Sequence, residues 1–325
     1  MNAPDHQSVL HRHPHTESDE TPADMDASGW EAMLQRTKDR IKSDRVTMAS
    51  GSLAYHWFLA FFPAIIAGLG LLTLLHVGSG TVHHLTHGIA KALPAGSAGV
   101  FDAAVKAAGR RSSGSAAAVI VGVVVALWSA TSGMAVLEQA LDVAYEVPTD
   151  RPFVSRRLLG VPLMALVAGL GGCAGALVVF GQPIGSAIQG VVPLHGQAFT
   201  VVWTVVRWVV ALALLTVLFS AIYFFAPNRQ SPRWQWVSVG GLLATAVFLL
   251  ASLAFSYYVS SFGAYAKTYG SFAGVAILIF WMWLVGLAVL AGGEINAEVE
   301  RQAARRAAGS DQPVTVEAPR RASAV

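Results

Sequence analysis

The sequence predicts an all-α polytopic membrane protein, a bundle of six transmembrane helices preceded by an amphipathic interfacial helix. Three observations carry that expectation. Of 325 residues, 54% are hydrophobic and 13% charged, against about 25% charged in an ordinary soluble domain. Six apolar stretches each reach the roughly 20 residues that a helix needs to cross the hydrocarbon core. Between them the Lys and Arg residues gather mostly on one side, the asymmetry that sets topology.

Residues 1–28 hold Asp5, Glu17, Asp19, Glu20, Asp24 and Asp26 and no apolar centre. They lack the basic start and apolar core of a secretory signal and read as a disordered cytoplasmic tail. In residues 29–47, Trp30, Met33, Leu34, Thr37 and Ile41 recur at helical spacing among Arg36, Lys38, Arg40, Lys42 and Arg45. Such a helix is expected to lie on the inner membrane surface, its apolar face in lipid and its cations near anionic headgroups.

The membrane domain, residues 48–305, carries spans from about Ser52 to Leu75, Ala116 to Leu137, Leu158 to Phe180, Val201 to Phe225, Trp236 to Tyr258 and Phe272 to Gly293. Their lengths favour helices over strands. The connection 76–115 contains two helix-like pieces, Val82–Ala92 and Gly99–Ala108, parted by Pro94-Ala95-Gly96. It is the one sizeable element expected outside the membrane on the outer side. Residues 306–325 read as a second disordered cytoplasmic tail.

Arg151, Arg156 and Arg157 follow span 2, Arg229 and Arg233 follow span 4, and Arg301, Arg305 and Arg306 follow span 6. The 76–115 connection, with Lys91, Lys106, Arg110 and Arg111, runs against the pattern. The balance places both termini in the cytoplasm. Arg207, near the outer end of span 4, reads as a side chain that snorkels to the interface.

Gly171, Gly172 and Gly175 in span 3, beside Ala168 and Ala176, read as helix-packing positions, as do Gly292 and Gly293, because small residues let backbones approach. Glu138 closes span 2 and Glu294 closes span 6, with Tyr55 and His56 about one turn into span 1. These lie at the depth of Arg151, Arg156 and Arg157. Two readings stand: a polar pocket open to the cytoplasm, or carboxylates that are solvated or paired with arginine to fix helix ends. Cys173 alone excludes an internal disulfide. His11, His13 and His15, and the pair His83 and His87, lack the converging ligands of a metal site. No nucleophile elbow, phosphate-binding loop or Rossmann fingerprint occurs, so neither cofactor nor metal is expected. The basic residues lack the aromatic interleaving of a nucleic-acid-binding face.

Four blocks resemble the BrkB/YihY family of bacterial inner-membrane proteins. They are SGSLAYHWFLAFFPAI (50–65), LWSATSGMAVLEQALDVAYEV with the following RPFVSRRL, YFFAPNRQSPRWQWVSVGG, and YAKTYGSFAGVAILIFWMWLVGLAVLAGGEINAE. They span roughly residues 30–305 in the family's order. His56, Val239 and Gly293 depart from the family pattern, which has an aromatic residue, proline and alanine there. The resemblance implies six spans in the inner membrane with cytoplasmic termini. It also implies a role in virulence or envelope integrity; the ribonuclease BN label attached to some members is a historical misassignment.

Two functions follow as expectations. One is transport or handling of a lipid or other amphipathic anionic substrate, with membrane lipids as partners. There Tyr55, His56, Glu138, Tyr145, Arg151, Arg156, Arg157, Glu294 and Asn296 would form a cytoplasmic-side site whose guanidinium groups suit phosphate oxygens. The other is a scaffold that docks periplasmic envelope proteins through 76–115. Neither involves an enzymatic step or a nucleic acid, and the oligomeric state is left open.

Overall fold

The computed structural model describes residues 27–74, 76–93, 97–111, 116–190, 196–229, 234–261 and 271–310, and among these only helices occur as regular structure. They are α1 (Ala27–Ser43), α2 (Val46–Leu74), α3 (Ser79–Ala92), α4 (Ala98–Arg111), α5 (Ala116–Ala144), α6 (Phe153–Leu166), α7 (Gly172–Gln189), α8 (Gln197–Phe225), α9 (Trp234–Ser261) and α10 (Ser271–Ser310). Residues Val167–Gly171 form a π-helical turn that joins α6 to α7 as one span. The expected tails of residues 1–28 and 306–325 lie largely outside the described residues, although 306–310 continue α10.

Six spans are long and apolar enough to cross a membrane: α2, α5, α6–α7, α8, α9 and α10. Each packs on the next in chain order, and α10 returns to pack on α2, so the spans close a ring. Short connections favour such sequential neighbours after the first pair, where α3 and α4 intervene between α2 and α5. At one end of the ring lie α1, the α5–α6 and α8–α9 connections and the second half of α10; we call this the polar end. The other end carries α3, α4 and the start of α8.

Two spans outrun their apolar stretches. After Gly293 the sequence EINAEVERQAARRAA contains neither Gly nor Pro and is rich in strong helix formers, so α10 continues for 40 residues to Ser310. Likewise α5 runs past Leu137 to Ala144. Glu138 and Glu294 therefore stand inside helices, where backbone carbonyls are satisfied and side chains face neighbouring helices.

Three expectations need correction. First, α1 is not simply laid on lipid: Met33 and Thr37 are buried, and α1 packs on α10, while Leu34 faces outward. Second, the 76–115 connection is not wholly external. Val100, Phe101 and Ala104 of α4 are buried, and the Phe101 ring lies 6.3 Å from that of Phe61, at the middle of α2. On the other flank Gly88 of α3 lies against Phe180 and Val179 of α7 so closely that a Cβ would collide with the Phe180 ring. The α3–α4 hairpin thus wedges between α7 and the α2–α10 pair, which buries its apolar face.

Third, the span-3 glycines do not all pack. Gly171 faces Leu218 of α8, at 3.4 Å from an added Cβ, but Cβ atoms at Gly172 and Gly175 would meet nothing within 4 Å. The close approach of α7 to α8 occurs further along, where Gly181 seats Arg207 and Gly185 seats Trp203. Gly292 and Gly293 do lie at close contacts: a Cβ at Gly292 would strike the Tyr223 hydroxyl and Ala244, and one at Gly293 would stand 2.6 Å from Leu141 Cδ2.

Candidate functional site

The polar end is built from two rows of side chains at i, i+4 spacing, which share one helix face. On α5 these are Glu138 and Asp142, both buried. Arg151 Nη1 donates to Glu138 Oε1 at 2.8 Å and to the Ala226 carbonyl at 2.6 Å, and its Nη2 donates to the Pro227 carbonyl at 3.3 Å. Arg156 Nε lies 3.9 Å from the same Glu138 oxygen. Asp142 accepts from the Asn228 backbone N–H at 2.7 Å. One arginine and two acids thus tie the α5–α6 connection to the α8–α9 connection.

On α10, Asn296 is buried. Its Nδ2 donates to the Tyr145 hydroxyl at 2.7 Å and to Glu300 Oε1 at 3.1 Å, while its Oδ1 accepts from the Gly240 N–H at 3.2 Å. Arg229 lies 4.2 Å over the Tyr145 ring and donates to Glu300 at 2.5 Å and to the Tyr223 carbonyl at 2.6 Å. Burial raises the Tyr145 pKa well above its ordinary value, so the phenol stays protonated. Tyr223 in turn donates to the Val289 carbonyl at 2.7 Å.

The row continues with Glu298, which takes Arg36 of α1 at 2.5 Å and Arg301 at 3.0 Å. Arg36 also donates to Gln302 at 2.9 Å. Arg301 reaches the Ala144 carbonyl at 3.1 Å, and Arg40 pairs with Glu146. Glu294 is 1% exposed. Its charged neighbours are Asp44, Arg301 and Arg40, and its Oε2 has no hydrogen-bond partner.

Of the nine sequence-derived site residues, Glu138, Tyr145, Arg151, Arg156, Glu294 and Asn296 come together here. Tyr55 does not: it is 59% exposed on α2. His56 hydrogen-bonds the Ser52 carbonyl at 2.8 Å. Arg157 turns instead to α5, donating to Thr131 Oγ1 at 3.1 Å and Ser132 Oγ at 2.7 Å, with its guanidinium 4.4 Å over the Trp128 ring. Among the described residues the polar end is therefore an ion-pair network in which buried acids and arginines pair with one another, although Glu138 Oε2, Asp142 Oδ2 and Glu294 Oε2 have no hydrogen-bond partner. Sequence reasoning missed Asp142, Tyr223, Arg229, Glu298, Glu300 and Arg301. The i, i+4 acids of α5 and the Asn296–Glu300 pair were the available signal, hidden by ending both spans too early.

A cavity lies elsewhere among the described residues. It sits between the α3–α4 hairpin and α7, α8, α9 and α10, and its volume of about 900 Å³ is within the range of about 300–1,000 Å³ typical of ligand sites. Ala174, Ala211, Leu215 and Phe248 line it, with His87, Asp102, Ser252 and Ser256 among its few polar groups. Val178 and Trp208, each 43% exposed, stand on its wall. The wedge of the hairpin holds the ring apart here, whereas Gly292 and Gly293 let it close at the polar end.

Comparison with known proteins supports the membrane architecture. The chain is 32% identical over 253 residues to the putative ribonuclease-like protein YfkH of Bacillus subtilis, covering 78% of this chain and 90% of that one. It is 26% identical over 289 residues to a UPF0761 membrane protein of Photobacterium profundum, covering 87% and 85%. Against a UPF0761 membrane protein of a Janthinobacterium species it is 28% identical over 267 residues, 79% of this chain and 57% of that protein. No solved structure matches. The family model described as Virulence factor BrkB matches residues 37–315, and the chain belongs to that family of multi-pass membrane proteins.

Proposed function

We propose that this protein handles a membrane lipid in support of the cell envelope, through the cavity between the hairpin and α7–α9. The carrying observation is the 900 Å³ space, walled largely by apolar side chains within the spans. Such a space accepts an acyl chain at little cost, because the chain leaves one apolar surrounding for another. The ion-pair network then serves as a fixed base that holds the ring closed at one end. Its arginine-rich surroundings support a cytoplasmic position for that end, in the inner membrane of a bacterium.

Docking of envelope proteins through residues 76–115 has less support, since the buried Val100, Phe101 and Ala104 of α4 are committed to the bundle. The proposal includes no reaction. The ribonuclease-like name describes the Bacillus subtilis protein, and this sequence carries no nuclease motif.

The test is lipid distribution between membranes in a deletion strain complemented with Ala211→Phe, which fills the cavity from a residue 1% exposed. Failure to restore the wild-type distribution, by a variant that reaches the membrane at normal levels, is the expected result. Full restoration would sink the reading.

A further inference from the structure

Among the described residues, Arg207 is a cation without a counter-ion. It stands about 15 Å along α8 from the end at Gln197, at roughly 1.5 Å per residue, well inside the span. Gly181 of α7 provides its seat, since an added Cβ there would lie 2.7 Å from Arg207 Cδ and Nη1. The guanidinium is thus drawn in against α7 instead of simply reaching outward. Its Nε is buried with no hydrogen-bond partner, and the nearby Gly181 carbonyl is already taken by Trp203 Nε1 at 2.6 Å. No carboxylate of the described residues pairs with it.

The sequence offers few other sources of negative charge. From Arg151 to Gly293 it contains no Asp or Glu, and between Arg45 and Leu137 it has Asp102 alone. A charge within a span is costly unless an anion meets it. Asp102 of α4 lines the cavity, but no carboxylate among the described residues lies within 4 Å of the guanidinium.

Position identifies the class of anion. Gly181 lies two turns beyond Ala174 on the same face of α7, and Arg207 lies one turn from Ala211 on the same face of α8, where Ala174 and Ala211 both line the cavity. The cation therefore sits between α7 and α8 about one turn beyond the lining of the apolar space, at the distance of a headgroup from its acyl chain. We infer that Arg207 binds the phosphate of an anionic lipid whose acyl chain occupies the cavity. This rests on the lipid-handling reading and adds to it the headgroup site. Guanidinium meets phosphate oxygens with two parallel donors, and Ser252 and Ser256 of α9 face the same space as secondary donors.

The test uses the full chain, purified in neutral detergent, with acyl-labelled phosphatidylglycerol and acyl-labelled phosphatidylcholine as probes. The wild type is expected to prefer phosphatidylglycerol on the order of tenfold. Arg207→Met keeps the aliphatic stem on Gly181, and it should abolish that preference. Gly181→Ala displaces the guanidinium without removing it and should reduce the preference. Ala211→Phe should weaken both lipids alike. Because Arg207 has no carboxylate partner in the described fold, Arg207→Met should melt no lower than wild type without added lipid. A marked drop would mean that the fold itself holds the charge and would overturn the assignment. If Arg207→Met retains the preference while Ala211→Phe weakens binding, the headgroup site fails and the cavity reading survives. If Ala211→Phe has no effect while Arg207→Met abolishes the preference, the anion site stands without the cavity, and the inferred acyl-chain placement fails. Inorganic phosphate that displaces the lipid at comparable concentration would assign the site to a soluble anion and overturn the lipid source.

Discussion

At the scale of single residues, two glutamates that look alike in sequence occupy different settings. Glu138 is wrapped by Arg151 and Arg156, and Arg151 also bridges to the Ala226 carbonyl. Removing one member of a buried pair strands the other, which costs about 3–5 kcal/mol. Arg151→Met should therefore lower stability by that order in detergent unfolding, and adding Glu138→Gln should recover part of the loss. Equal midpoints for wild type and Arg151→Met would refute the pairing. Glu294 offers a contrast, because no arginine among the described residues forms an ion pair with it. Glu294→Gln should unfold near the wild-type midpoint, whereas Tyr223→Phe, which deletes the bond to the Val289 carbonyl, should cost about 1 kcal/mol.

At the scale of elements, glycine position separates packed from open helix faces. A Cβ at Gly241 would meet the Thr216 carbonyl at 2.8 Å, and one at Gly292 would stand 3.1 Å from Ala244 Cα. Backbone cannot retreat as a flexible side chain can, so Gly241→Ala and Gly292→Ala should each cost about 1–3 kcal/mol. Gly172→Ala and Gly175→Ala meet open space and should be neutral or slightly stabilising, since alanine favours the helix. Comparable losses at all four positions would show that α7 packs against something beyond this chain. The α1 helix makes a separate prediction. It is held by Arg36 on Glu298 and by the burial of Met33. Glu298→Ala should expose α1 to faster amide exchange and leave the six spans protected.

At the scale of the whole molecule, the ring is closed at its polar end and wedged apart by α3–α4 at the other. The proposed orientation can be read by labelling. Cys173 is exposed, so the background must be Cys173→Ser. In intact cells made permeable only at the outer membrane, a membrane-impermeant maleimide should label Lys106→Cys on α4 and spare Glu146→Cys until the inner membrane is broken. The opposite pattern would invert the topology.

Much of this was legible in the sequence because lipid imposes a simple rule. Backbone polar groups must be satisfied within each span, so six long apolar runs mean six helices. The bundle class, the α3 and α4 pieces and the convergence of Glu138, Arg151 and Asn296 at one end follow from length, charge and spacing. Which glycines pack, that Arg157 turns to α5, and that a cavity lies beside α3–α4 were settled only by tertiary contact. Apolar periodicity marks a buried face without naming its partner, and in a span nearly every face is apolar. The sequence by itself therefore determined the helices, their number and their polar end. Helix against helix decided where the molecule is solid and where it is hollow, because that depends on side-chain fit between segments far apart in the chain.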